Sequence, residues 1–417
     1  QENCKYFNNY TKLEKKIISL KIKTNDYRSW QVNNIRILTD NSNVISDKFK
    51  GKFSSEVTVF YDDKTYCRIQ AKIRTHGDLK DHIYFKDGKV YQSLDVQLLN
   101  GHINNITKFK LFLNGTRGNE EDEIFMTELL REIGFIAPRT EIVKVEFNNL
   151  NIQMLFQEKI TKELLEYNNK REGPILEGDE KYMWSYASKI KNKVQGGVDW
   201  SEIFRVSELG TRIQLAKQSN SSWAIKHPEF LKDSLFALEK LNFAYLVYLN
   251  SYKDNYSFLE YDLDNLILSS NNEKQHEKLN IFNNLIIAAK GYHALYTHNR
   301  RFYWNSIEGY FEPIYYDGEF NITEKITKLN FPLSLNYINS IKKTELQLDQ
   351  IDKKKFYKNK IKGKINISYN DYLLKFDIIK KNLNDIEKLF LQKNKEDLQL
   401  NNSSYKSKNL NKNYLKN

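Results

Sequence analysis

Residues 54–78 have the sequence SSEVTVFYDDKTYCRIQAKIRTHGD, and this stretch decides the class of fold. Apolar side chains occupy alternate positions in 57–61 and again in 67–73, on either side of a turn-like Asp-Asp-Lys at 62–64. Alternation with a period of two is typical of strands that bury one face. The stretch therefore predicts a β-hairpin with one apolar face.

Further strands are predicted on both sides of a helix. The segment ITKFKLFL (106–113) places Lys108 and Lys110 on one face of a strand and Phe109, Leu111 and Leu113 on the other. A helix is predicted at 119–133, because Asn119 is a favourable N-cap, acidic residues fill the first turn, and a glycine follows the last turn. A second hairpin follows, with an Asn-Asn turn at 148–149.

From about residue 161 the apolar spacing becomes helical, most clearly at 230–252, 281–290 and 370–390. The strongly apolar segment 230–252 is typical of a buried helix. These patterns predict an α+β protein with a β-rich N-terminal part at 1–160 and a mainly helical part at 161–395. The polar, Lys- and Asn-rich segment 396–417 is predicted to be disordered.

The composition excludes some functions. The 417 residues carry a formal charge of +12, but residues 391–417 alone hold six lysines against two acidic residues. The remaining charge is dispersed, and no motif combines basic residues with stacking aromatics, so nucleic acid is not a predicted partner. Cys4 and Cys67 are the only cysteines and belong to no metal motif; a disulfide and two buried thiols both remain open.

The chain has no run of 18 apolar residues, so no transmembrane segment is predicted in it. It begins with Gln1 rather than Met, as expected of a fragment or of a protein that has lost a leader. Removal of a leader would suit an extracytoplasmic or envelope-associated location.

The stretch HNRRFYWNSIEGYFEPIYYDGEF (298–320) interrupts the helical part with two predicted strands. Asn299 precedes the first strand and Asp317 follows the second, so the two side chains should meet at the open end of the hairpin. An amide oxygen and a carboxylate are ligands suited to a hard cation such as Mg²⁺. The alternative is that both residues simply form turns.

Three stretches resemble CotH-type kinases (spore-coat protein H and its relatives). They are KIRTHGD (72–78), TELLREIGFIAPRTEIVKVEFNNLNIQMLFQEKI (127–160) and the hairpin 298–320, and they occur in the order found in that family. The resemblance implies an atypical, bilobal kinase-like fold. It also implies that the protein binds ATP with Mg²⁺ or Mn²⁺ and phosphorylates Ser or Thr of a protein substrate.

The resemblance also assigns roles to residues. It implies that Asp317 and Asn299 bind the metal, but the position of the catalytic aspartate, five residues before the asparagine, holds Ala294. His293 and His298 are the candidate bases beside this gap, and a loop shift could bring in Glu319 instead. A structural, hydrogen-bonded role for His293 remains equally open.

Nucleotide contacts are expected from the β-rich part. A strand lysine paired with a helix glutamate positions phosphates in kinases, and Lys110 with Glu128 fits this pattern. Glu158 matches a glutamate of the family at the end of the second hairpin. Glu177 stands where the family often has a lysine, which departs from its pattern. Neither a P-loop nor a dinucleotide-binding glycine motif occurs.

Two other functions stay open. The gap at Ala294 would suit a degenerate pseudokinase that acts as a binding or assembly protein of the cell envelope. Asp317 and Glu319, two residues apart on one strand face, could instead be the acid pair of a carbohydrate-acting enzyme.

Overall fold

The computed structural model describes residues 14–180, 184, 215–251, 263, 265–296, 298–323, 325–328 and 335–413. Within these ranges, only the backbone is described at 248–251, 335–336 and 393–413.

The N-terminal part is a closed barrel of seven strands, in the order β1-β2-β3-β6-β7-β9-β8. A parallel pairing of β1 with β8 closes it, while the other neighbours are antiparallel. A separate hairpin is formed by β4 and β5. The strands are β1 (Ile17–Thr24), β2 (Phe53–Tyr61), β3 (Tyr66–Thr75), β4 (Ile83–Lys86), β5 (Lys89–Gln92), β6 (Leu94–Leu98), β7 (Lys108–Phe112), β8 (Thr140–Phe147) and β9 (Leu150–Glu158).

The predicted hairpin at 54–78 is confirmed as β2 and β3, and its alternating apolar residues fill the barrel interior. The second hairpin, β8 and β9, is confirmed as well. Its turn residues Asn148 and Asn149 have φ angles of 46° and 69°, a left-handed backbone that asparagine tolerates better than most residues. Helix α1 (Tyr27–Thr39) covers one side of the barrel and buries Trp30 against Phe53 and Phe147.

Helix α2 (Glu120–Ile133) follows β7 and confirms the predicted helix. The Asn119 side chain accepts hydrogen bonds from the backbone N–H groups of Glu121 and Asp122. Gly134 ends the helix with a left-handed φ of 97°. The helix is buried over most of its length, so it joins the barrel to the rest of the molecule.

The C-terminal part combines helices with a four-stranded sheet in the order β11-β10-β12-β13. Its strands are β10 (Ile175–Gly178), β11 (Ala216–Gln218), β12 (Arg301–Asn305) and β13 (Tyr310–Ile314). The helices are α3 (Lys162–Tyr167), α4 (Ser221–Ala224), α5 (Pro228–Ser251), α6 (Asn265–Ser269), α7 (Glu273–Ala288), α8 (Leu335–Asp349), α9 (Lys353–Phe356) and α10 (Tyr369–Asn413). The predicted hairpin at 298–320 is thus confirmed as β12 and β13.

Two helices differ from the sequence-based expectations. Helix α5 forms where a buried helix is predicted, but one side of it is exposed, with five apolar side chains at least 42% accessible: Leu231, Leu235, Phe236, Phe243 and Leu246. Helix α10 continues to Asn413, so the backbone of residues 396–413 is helical in place of the predicted disordered tail. No glycine or proline interrupts this segment, which favours continuation of the helix.

The α+β class is confirmed, with strands concentrated in the N-terminal part and helices in the C-terminal part. Cys67 carries a disulfide bond, and Cys4 lies outside the described residues. Among the described residues, no helix is both long enough and apolar enough to cross a membrane.

Candidate functional site

The hairpin β12–β13 brings Asn299 and Asp317 to one cleft of about 230 Å³. The walls of the cleft come from the loop after β3, the loop before α2, and the two open ends of this hairpin. His293 connects the two predicted metal ligands. Its backbone oxygen accepts a hydrogen bond from Asn299 Nδ2 at 3.0 Å, and its Nδ1 lies 3.1 Å from the backbone oxygen of Asp317.

His293, Asp317 and Glu319 form a group that can hold a metal ion. One ligand atom from each residue lies within 4.8 Å of the others, and His293 Nδ1 is 3.4 Å from Asp317 Oδ1 and 3.7 Å from Glu319 Oε1. A set of two carboxylates and one imidazole fits Mn²⁺ better than Mg²⁺, which prefers oxygen ligands alone. Asn299 can add only its Oδ1, because Nδ2 is a donor.

The backbone that carries the two carboxylates has an uncommon conformation. Asp317 and Glu319 both have φ of 53°, the left-handed region that side chains other than glycine seldom adopt. Tyr315 holds the segment in place: its hydroxyl accepts a hydrogen bond from the N–H of Gly318 at 2.8 Å and donates one to the buried carboxylate of Glu123. Such locally strained backbone is often found at functional sites.

Arg117 faces Asp317 across the cleft. Its Nη1 forms an ion pair with Asp317 Oδ1, and its Nη2 donates a hydrogen bond to the Tyr316 hydroxyl at 3.2 Å. The Arg117 side chain is 4% exposed, so both contacts are made away from bulk water. Asp317 therefore has a buried cation as its partner, which is not the environment of the general acid in a carbohydrate-acting enzyme.

Three cations surround the phenol of Tyr316. Lys110 Nζ donates to its hydroxyl at 3.0 Å, and the guanidinium carbons of Arg117 and Arg301 lie 4.9 Å and 4.5 Å from the centre of its ring. Burial raises the pKa of Tyr316, but the charges of Lys110, Arg117 and Arg301 outweigh burial and lower it to about 7. Burial also lowers the pKa of Lys110.

The expected ion pair between Lys110 and Glu128 is not formed, which corrects that part of the prediction. Lys110 contacts Tyr316 instead, while Glu128 is buried and pairs with Arg131 and, at 2.5 Å, with Lys364. The α2 acid that faces the hairpin is Glu123, whose pKa is raised by burial.

Glu158 lies outside the cleft in this structure. Its carboxylate binds the guanidinium of Arg139 through two hydrogen bonds of 2.8 Å, at the end of β9. This contact joins neighbouring strands and so supports a structural role for Glu158. Glu177, on β10, pairs with Arg301 at 3.1 Å and thereby helps to place that cation beside Tyr316.

The two histidines proposed as bases both line the cleft. Burial is the main cause that lowers the pKa of His298, to about 3, and burial also lowers the pKa of His293. The His298 imidazole is therefore neutral near pH 7 and a weak base, and burial disfavours the charged form of His293 as well. Ala294 is buried in a 3-10 turn, Tyr292–Leu295, and supplies no group for proton transfer.

Sequence reasoning missed Arg117, Arg301 and Tyr316 as residues of the site. A usable signal existed for each: Arg117 stands between two glycines in NGTRGN directly before the acidic first turn of α2, and the other two adjoin the hairpin ends that carry the predicted metal ligands.

Comparison of the chain with protein-family models gave no match, and comparison with curated proteins gave no significant match.

Proposed function

We propose that the cleft binds ATP with Mg²⁺ or Mn²⁺ and that the protein is a kinase of CotH type, which transfers the γ-phosphoryl group to a Ser or Thr hydroxyl of a protein substrate. The observation that carries this proposal is that the candidate metal ligands share one cleft with the buried Arg117 and with Tyr316, whose hydroxyl Lys110 contacts. The β-barrel and the helical part on either side of the cleft are consistent with a bilobal, kinase-like arrangement.

Phosphoryl transfer requires a divalent cation that neutralises charge on the phosphates. Asp317, His293 and the Oδ1 of Asn299 would hold it, while Lys110 and Arg117 supply positive charge on the adjoining wall. Glu319 is the candidate acceptor for the hydroxyl proton, since its half-exposed carboxylate lies in the same group. It would take the role that Ala294 cannot fill.

The proposal is tested with labelled ATP, a mixture of acceptor proteins and either Mg²⁺ or Mn²⁺. Wild type should transfer label, and Asp317→Asn should reduce transfer at least about 100-fold, because removing a metal-stabilised interaction costs several kcal/mol. Asp349→Asn is the matched control, since Asp349 lies on α8 and pairs with Lys380 at an exposed site. Equal transfer by wild type and Asp317→Asn would disprove the assignment of the site.

A second candidate function is favoured by Ala294 and by the weakly basic His298. In this alternative the protein binds nucleotide without transferring phosphate and serves as a binding or assembly protein of the cell envelope. The same preparations distinguish the two functions: ATP with Mn²⁺ would raise the melting temperature of wild type but not of Asp317→Asn, and no label would be transferred.

A further inference from the structure

Arg117 lies between the candidate metal ligands and the phenol of Tyr316. It forms the ion pair with Asp317, the central carboxylate of the His293–Asp317–Glu319 group. A guanidinium at this point holds the same carboxylate that a divalent cation would need. The oxygen that Arg117 holds, Oδ1, is also the one 3.4 Å from His293 Nδ1, so a divalent cation bound between Asp317 and His293 would compete with Arg117 for it.

Arg117 also has hydrogen-bond donors to spare. Its Nε is buried and has no hydrogen-bond partner among the described residues, and its Nη2 donates only to the Tyr316 phenol. A buried donor without a partner is uncommon and costs free energy. An acceptor bound beside Arg117 would give its Nε a hydrogen-bond partner. Lys110 donates to the same phenol.

The charge near Arg117 selects the kind of acceptor. Arg117 lines the cleft, and Lys110 and Arg301 stand beside it around the Tyr316 ring, so an anion bound at Arg117 would lie near three buried cations. A guanidinium fork binds phosphate oxygens in a bidentate manner. The acids that line the cleft are Asp78, Asp81, Glu180, Asp317 and Glu319. Of these, Asp317 pairs with Arg117, and Glu177 outside the lining pairs with Arg301.

The loop that carries Arg117 has glycines on both sides. Gly115 and Gly118 have φ of +82° and +65°, so the segment contains two backbone positions with access to conformations that other residues avoid. Gly118 packs against the backbone of Glu319, so a change of partner by Arg117 involves its side-chain torsions rather than the loop backbone.

We infer that Arg117 exchanges partners, binding Asp317 when the cleft is empty and a phosphate group of an anionic ligand when a divalent cation binds Asp317. Metal and phosphate then bind cooperatively, because each removes an obstacle to the other. The inference rests on the proposed metal site at Asp317 and adds a regulatory role for a residue outside the family resemblance.

The test is calorimetric titration with Mn²⁺ in the absence and presence of inorganic pyrophosphate, with free metal corrected for complexation. In wild type, pyrophosphate should tighten Mn²⁺ binding at least about fivefold, the lower range of measured couplings. Arg117→Gln should bind Mn²⁺ at least about fivefold more tightly than wild type without pyrophosphate, and the coupling should vanish. Arg68→Gln, at an exposed barrel arginine paired with Glu56, should behave as wild type.

Arg117→Lys provides a second variant that keeps the charge, and circular dichroism checks that both variants are folded. Because it keeps a positive charge near Asp317, Arg117→Lys should bind Mn²⁺ less tightly than Arg117→Gln. Unchanged or weaker Mn²⁺ binding by a folded Arg117→Gln, or an unchanged effect of pyrophosphate, would overturn the inference, and so would absence of Mn²⁺ binding in every variant. If wild type transfers label but pyrophosphate still tightens Mn²⁺ binding in Arg117→Gln, the inference is wrong and the kinase proposal stands. If the coupling depends on Arg117 but no label is transferred, only the kinase activity is disproved.

Discussion

Tyr316 and Asp317 are neighbours in the chain, but their side chains contact different sets of groups. The phenol of Tyr316 accepts hydrogen bonds from Lys110 and Arg117, and the carboxylate of Asp317 pairs with Arg117 and approaches His293. One dipeptide thereby places the cations around Tyr316 next to the candidate metal ligands. A site for metal-bound phosphates needs both a metal ion and nearby positive charge, so this arrangement supports the proposed function.

Glu141, on β8, allows a prediction about pH and stability. Burial is the main cause that raises the pKa of its carboxyl group to about 7, from an ordinary value of 4.5. The folded protein therefore keeps the proton in a range where the unfolded chain has lost it, so stability falls as pH rises from 4.5 to about 7. Glu141→Gln removes this penalty. The variant should be more stable than wild type at pH 8, by about 3 kcal/mol, and nearly equally stable at pH 4.5.

Urea denaturation of both proteins at the two pH values measures this difference. Glu146→Gln is the control on the same strand, because Glu146 is partly exposed and pairs with Lys21 at 2.6 Å. It should show no gain in stability at pH 8. A loss of stability in Glu141→Gln at pH 8 would mean that an ionised, well-paired carboxylate had been removed.

The hairpin geometry was enough to predict from the sequence that Asn299 and Asp317 lie at the same end of the hairpin, where both line one cleft, since antiparallel strands bring their open ends together. The partner of Lys110 could not be predicted in the same way. Glu123 and Glu128 are both acids of α2, but five residues along a helix turn the side chain by roughly 140°. Only the packing of α2 decides that Glu123 faces the hairpin and Glu128 faces Lys364.

The loop before α2 and the segment after β13 form the contact that shapes the site. Gly118 lies against the backbone of Glu319: an added Cβ would be 3.1 Å from its Cα and its carbonyl carbon. The close approach holds Arg117 opposite Asp317. The two segments therefore behave as a single structural element of the cleft.

Gly118→Ala should disturb this element. The substitution is strained at φ +65° and also presses on Glu319, so the loop must shift. We expect a loss of about 1–2 kcal/mol in stability and weaker Mn²⁺ binding. Gly115→Ala is the matched control, because Gly115 has φ of +82° with open space around it. It should lose a similar stability and keep its Mn²⁺ affinity. Equal Mn²⁺ affinities in the two variants would contradict a role for the Gly118 contact.

Elements with local signals were predicted well, and those that depend on distant neighbours were not. The three predicted β-hairpins and α2 follow from periodicity, capping and turn residues within short windows. Closure of the barrel depends on pairing between residues 19–22 and 144–147, far apart in the chain, which no local pattern specifies. The exposed side of α5 illustrates the same limit, because apolar spacing does not reveal what covers a helix.

At the scale of the whole molecule, α2 connects the barrel to the C-terminal helices. Its apolar residues share one core with α7 and α10. A buried ion pair adds a polar link: the carboxylate of Asp122 binds the ammonium of Lys375 on α10 and accepts a hydrogen bond from the N–H of Ile322 at 3.0 Å. The three groups come from separate parts of the chain, so the link ties the segment after the site to both α2 and α10.

Lys375→Met should destabilise the protein by about 3–5 kcal/mol, because it leaves the fully buried carboxylate of Asp122 without its cation. The double variant Asp122→Asn with Lys375→Met should recover much of this loss, since the amide oxygen can still accept from Ile322. Lys380→Met is the control on the same helix: Lys380 pairs with Asp349 at the surface, and its loss should cost less than about 1 kcal/mol.

Urea denaturation of the three variants, followed by circular dichroism and by tryptophan fluorescence, measures these costs and reports whether the barrel and the helices unfold together. If α2 couples them, both signals should give the same transition midpoint in wild type. Earlier loss of helical signal in Lys375→Met would show that this ion pair helps to maintain the coupling. A Lys375→Met variant as stable as Lys380→Met, or a double variant no more stable than the single one, would show that the buried pair does not hold the two parts together.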